Sequence, residues 1–124
     1  MLILCLLAAL LSAPFAQATQ EAYAYQDVAS LRSLLDQADS RADSLLVRYR
    51  LYPLTEDASL LDDLPHRLDN GSAQEQALLS GLWSYRAGEA SIFKVIQYGR
   101  RSTALLEAAK AQNPSDPYVL LIEG

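Results

Sequence analysis

His66, in Leu64-Pro-His-Arg-Leu68, is the only histidine of the chain, and Cys5 is its only cysteine. A histidine works as a general base only beside a nucleophile or a second proton carrier. No serine-containing nucleophile elbow accompanies it, and Cys5 sits inside the apolar run that opens the chain. Glu56, Asp57, Asp62 and Asp63 form an acidic cluster of the kind that invites a hard cation. Calcium loops, however, need oxygen ligands at alternate positions around a glycine turn, and that spacing is absent. These residues read as a loop histidine and a solvated helix face, with no catalytic residue, cofactor site or metal site. Asn70-Gly-Ser72 fits a glycosylation sequon but is more simply a turn ahead of a helix cap.

The cations and aromatic residues say more. There are seven tyrosines and one tryptophan. Tyrosine and tryptophan are amphipathic, suited both to packing and to protein recognition. Core packing is the simpler role for most of them. Arg48 and Arg50 flank Tyr49 near the end of a helical pattern, where cations suit the helix dipole. Arg100-Arg101 falls inside a helix, free to meet an acidic helix or partner. Trp83, Tyr85, Arg86, Tyr98 and Arg101 mark a candidate partner-binding groove, and Tyr118, Leu120 and Ile122 a second apolar surface.

The 124 residues allow at most one ordinary domain, and ten Lys plus Arg against fifteen Asp plus Glu give a net charge of −5. That balance speaks against a general nucleic-acid binder, which carries a basic face. Residues 1–20 carry no charge, and Met1–Leu11 is almost unbroken apolar sequence ahead of Ala16-Gln-Ala18. An apolar core followed by a small-x-small site predicts a signal peptide over 1–18, although no Lys or Arg precedes it. The run is too short for a comfortable bilayer span, so no stable span is expected after cleavage. Cys5 opens this segment rather than closing it, which argues against a lipidated cysteine. The mature chain is then expected to be exported, periplasmic or secreted, and free of cysteine chemistry.

The organisation is all-α. Glu21 to Tyr52 lacks Gly and Pro, and Val28, Leu31, Leu34, Leu35, Ala38, Ala42, Leu45, Leu46, Tyr49 and Tyr52 recur at helical spacing. The polar stretch Asp36–Ser44 allows a hairpin, but the unbroken phase favours one long helix ending before Pro53. Thr55 then caps a short helix to residue 63 or 64, and 65–71 forms a loop. Ser72-Ala-Gln-Glu75 is a capping box opening a helix to about Ala87. A further helix runs from about Ala90 to Gln112, carrying Ile92, Phe93, Ile96, Leu105, Leu106 and Ala109. Gly81 and Gly99 inside these helices predict close helix approaches. Asn113-Pro114 stops the chain's last long helix, and Asp116-Pro117 restarts one as N-cap and first helical residue. The expected divisions are 19–71, a long helix with its connection, and 72–124, a helical hairpin with the start of another unit.

Gly81 with Tyr85, then Ser102, Leu106 and Ala109, then Pro114, resemble a tetratricopeptide repeat, with Gly124 where the next repeat places its glycine. Exported bacterial proteins with an Asn-Pro-x-x-Pro-Tyr turn are similar. The spacing from Gly81 to Gly124 exceeds the family's roughly 34 residues, so the repeat is divergent, its second helix about two turns longer. The resemblance implies antiparallel helix hairpins in a short α-solenoid or bundle, and binding of a protein or peptide rather than catalysis. The expectation is therefore a non-enzymatic scaffold or adaptor. The other reading is a structural subunit of a periplasmic or membrane-associated assembly, docking through its C-terminal helix. Homo-oligomerisation, or further repeats beyond Gly124, would serve to cover that helix.

Overall fold

The computed structural model describes residues 14–124, and among these every regular element is helical. Two compact units succeed one another, divided between Thr55 and Glu56. The apolar run and Cys5 lie outside the described residues. Pro14–Ala18, read as the end of a leader, belongs to the first helix, α1 (Pro14–Ala24).

Among the described residues, three helices build the first unit, where one long helix is expected from the sequence over 21–52. α1 is followed by α2 (Val28–Gln37) and α3 (Arg41–Thr55), and each packs against the other two. The break after α1 is a Schellman turn: Asp27 N–H donates to Ala22 O at 2.8 Å and Gln26 N–H to Tyr23 O at 3.0 Å. Its left-handed position is held by Gln26, at φ 53°, rather than by glycine. Asp27 then caps α2, its Oδ1 accepting from Ser30 N–H at 3.1 Å and its Oδ2 from the Ser30 hydroxyl at 2.6 Å.

The second break falls in the polar stretch. Ser40 Oγ accepts from Asp43 N–H at 3.1 Å, which starts α3 and overrides the continuous apolar phase. α3 also runs through Pro53, in its last turn, and ends at Thr55. Thr55 is therefore no cap; its hydroxyl bonds back to Leu51 O at 3.3 Å, and Asp57 caps the following 3-10 turn, Ala58–Leu61. Leu31, Val47 and Leu51 are fully buried in this unit. The Arg50 guanidinium lies over Tyr23 at 4.5 Å and reaches Gln20 at 3.4 Å, tying α3 to α1 rather than serving a helix end.

The second unit is a helical hairpin with a short third helix. α4 (Ala73–Glu89) opens with the expected capping box: Glu75 N–H to Ser72 Oγ and Ser72 N–H to Glu75 Oε1, both at 3.1 Å. A turn at Ala90–Ser91 leads to α5 (Ile92–Gln112). Ser80 bonds to Ser102 in mid-hairpin, and Gln112 Nε2 donates to Gly71 O at 2.9 Å at its far end, so the two helices run antiparallel. Gly71 is needed there: a Cβ would stand 2.7 Å from Leu68 Cβ. Gly99, by contrast, has open space where a Cβ would go, so it marks no close approach. The close crossing lies at Ser102 instead, opposite Ser80 and next to buried Gly81.

α6 (Pro117–Glu123) starts as expected, with Asp116 Oδ1 accepting from Tyr118 and Val119 N–H at 2.9 and 3.3 Å. Val119 is fully buried against Ala73, Ala77 and Ala109, with Leu106, Tyr118 and Ile122 around them. Small alanines on two helices leave room for the third, whose packing supplies most of a seven-residue helix's stability. Lys110 Nζ holds Glu123 Oε1 at 2.9 Å across this junction.

Candidate protein-interaction surface

Near the α4–α5 turn, one buried ring organises four charged or aromatic neighbours. Trp83 is 1% exposed, and its indole N–H donates to Pro65 O at 2.9 Å. Tyr98 of α5 lies tilted against it, ring centroids 5.1 Å apart, and His66 meets it edge-on at 5.7 Å. Arg101 sits 4.7 Å and Arg86 5.1 Å from the tryptophan ring, and Arg86 is also 5.3 Å from Tyr98. Cation–π attraction holds both guanidiniums at the rim of the cluster. Arg86 makes one further bond, Nη1 to Leu61 O at 3.3 Å.

Four of the residues singled out from sequence, Trp83, Arg86, Tyr98 and Arg101, thus meet in one cluster. Trp83 offers almost no surface, so its part there is to seat the arginines. Tyr85 is half-buried and lies outside these ring contacts. Tyr118, Leu120 and Ile122 belong to the opposite end of the hairpin, beside Ala73 and Ala109. Tyr118 and Ile122 are half-buried against the alanines, whereas Leu120 is 55% exposed and Leu121 beside it 40%.

The largest apolar side chains left open on this unit lie on the same helix as Leu105, Leu106 and Ala109. Ile92, Phe93 and Ile96 are 78%, 90% and 62% exposed. At about 100° per residue they fall roughly opposite Ser102, Leu105 and Ala109, the face of α5 turned to α4. The apolar residues of α5 therefore form two faces, not one, and carrying the phase from Ile92 to Leu105 would have shown it. Phe93, Ile96, Gln97, Arg100 and Arg101 line an open depression of about 490 Å³ along this outer face.

Residues 90–106 hold Lys94, Arg100 and Arg101 and no acidic residue, in a chain of net charge −5. Among the described residues, Arg100 is exposed, whereas Lys94 shares a depression with Asp62 and Glu89. Among the described residues, no group of three or more His, Cys, Asp or Glu is placed to hold a metal ion. Among them, too, no helix is long and apolar enough to cross a membrane. No family model, no curated protein and no solved structure matches the chain.

Proposed function

We propose that this chain is an exported, non-enzymatic helical-repeat protein that mediates protein–protein interaction, as a scaffold or adaptor. The observation that carries the reading is the open apolar face of α5, Ile92, Phe93 and Ile96, beside the arginines of the Trp83 cluster. Exposed apolar patches bounded by polar residues mark interaction sites. The tetratricopeptide-like reading draws support from the antiparallel hairpin, its small-residue crossing at Ser80, Gly81 and Ser102, and the Asp116-Pro117 restart packed on α4. The apolar, charge-free opening of the sequence supports export.

The alternative is a subunit that docks through α6 into a larger assembly, and exposed Leu120 and Leu121 favour it. One experiment separates the two. The native chain, extracted mildly from its own cells, is run by sedimentation alongside two double variants. The interaction reading expects a complex larger than the free chain that Phe93→Ser/Ile96→Ser abolishes and Leu120→Glu/Leu121→Glu preserves. The opposite pattern favours docking through α6. A wild-type chain sedimenting only as free monomer overturns both.

A further inference from the structure

We infer that the outer face of α5 docks an acidic amphipathic helix of a partner protein. This rests on the interaction reading above and adds to it the chemistry of the partner.

The shape of the face comes first. Ile92, Ile96 and Arg100 follow one another at steps of four, with Phe93, Gln97 and Arg101 one position on, so the surface is a stripe along a single helix. Eight residues of helix rise about 12 Å, two turns of ridge and groove. A ridge of this kind is complementary to the grooves of a second helix laid across it. Burying Phe93 with the two isoleucines supplies the apolar anchor, about 1.5–3 kcal/mol for each side chain fully removed from water.

Charge then selects the partner. The apolar end of the stripe runs into Arg100 and Arg101, with no carboxylate between residues 90 and 106 to neutralise them. Arg101 is seated over Trp83, which holds its planar fork ready for a carboxylate. A helix with an apolar seam ending in Asp or Glu satisfies both parts of the face at once. The membrane surface is the less fitting occupant. Three cations on one short stretch draw a chain toward anionic lipid, but the protein as a whole carries fifteen carboxylates, which that plane repels.

The test uses the full chain and three probes. One is a synthetic amphipathic helix with a leucine seam and glutamate flanks. The second has the same seam with lysine flanks. The third is a vesicle of 30% phosphatidylserine in phosphatidylcholine. Fluorescence anisotropy is expected to show saturable binding of the glutamate peptide, at least about tenfold tighter than the lysine peptide, weakening as salt is raised. Phe93→Ser/Ile96→Ser and Arg100→Glu are each expected to weaken it about tenfold or more, with the thermal unfolding curve unchanged because these side chains are exposed. Equal or tighter binding of the lysine peptide, lost in Phe93→Ser/Ile96→Ser, overturns the acidic partner and leaves the interaction reading standing. Binding to the vesicles alone replaces a protein partner with a membrane. No saturable binding of any probe overturns the inference, and the sedimentation of the native chain then decides the broader reading separately.

Discussion

Ser80 and Ser102 exchange hydrogen bonds across the α4–α5 crossing: the Ser80 hydroxyl donates to Ser102 O at 2.6 Å, and the Ser102 hydroxyl to Ser80 O at 2.8 Å. Each hydroxyl has one proton, so both are used, and the 3.1 Å between the two oxygens is contact without a further proton. Each bond also takes up a spare lone pair on a helix carbonyl. The pair fixes the hairpin's stagger, and hence which side of α5 faces outward. Replacing either serine by alanine is expected to cost about 0.5–1.5 kcal/mol in urea unfolding, with the double variant costing less than the sum. Ser80→Val is expected to cost more, about 1–3 kcal/mol, through overpacking of a crossing built for a small side chain.

Trp83 links the core to the cationic rim. Trp83→Ala is expected to destabilise the chain by about 3–5 kcal/mol, the range for deleting a buried large aromatic residue. Trp83→Phe keeps most of the packing but loses the bond to Pro65 O, a residue exposed to water, and about 0.5–1.5 kcal/mol of loss follows. Denaturant unfolding followed by circular dichroism reads both, since the variants lack the chain's one tryptophan.

Gly71 is required by space, not by its backbone angles. Adding a methyl group there meets Leu68 Cβ at 2.7 Å, backed by Gln76. Gly71→Ala is expected to cost about 1–3 kcal/mol, whereas Gly99→Ala, in open space on a helix, is expected to stabilise by up to about 1 kcal/mol. Thermal unfolding of the two variants side by side shows the contrast.

The cap of α2 carries a pH dependence. Hydrogen bonds from the Ser30 hydroxyl, and then from its backbone N–H, hold the Asp27 carboxyl below the usual carboxylate range. A depressed folded value means that the stabilisation is present above the unfolded carboxylate's pKa and is lost as pH falls through the lower, folded one. Amide chemical shifts of Ser30 are expected to report this loss at acid pH, and Asp27→Asn, which keeps an acceptor without the charge, to flatten it. The Lys110 ammonium behaves oppositely. Its bond to Glu123, with the charges of Glu123 and Glu107, raises its pKa, so its contribution holds at neutral pH and is lost only in strong alkali.

How far residues announce structure differs along the chain. Ser72 with Glu75, and Asp116 with Pro117, show their roles in the sequence because a cap is a local contact made by side chains of known preference. The break after Ala24 does not, because its left-handed residue is Gln26 and no glycine flags it. A left-handed non-glycine residue costs about 1–2 kcal/mol, which the Schellman bonds and the Asp27 cap offset. Ser40 with Asp43 was visible but lost to the stronger apolar phase of Ala38 and Ala42. At the candidate site, the aromatic and cationic residues were legible by type. The outward turn of Ile92, Phe93 and Ile96 was not, because apolar residues at helical spacing look alike until phase is followed across the whole of α5.

The most direct test of the central claim, that the Phe93 face of α5 is where a partner protein sits, is site-specific photo-crosslinking in the chain's own cells. A benzophenone side chain replaces Phe93 in one strain and, in another, Ser84, exposed on α4. The account predicts a discrete protein adduct from position 93 that Arg100→Glu diminishes, and none from position 84. Equal adducts from both positions, or none from 93 while one placed at Leu120 gives a discrete product, would contradict it.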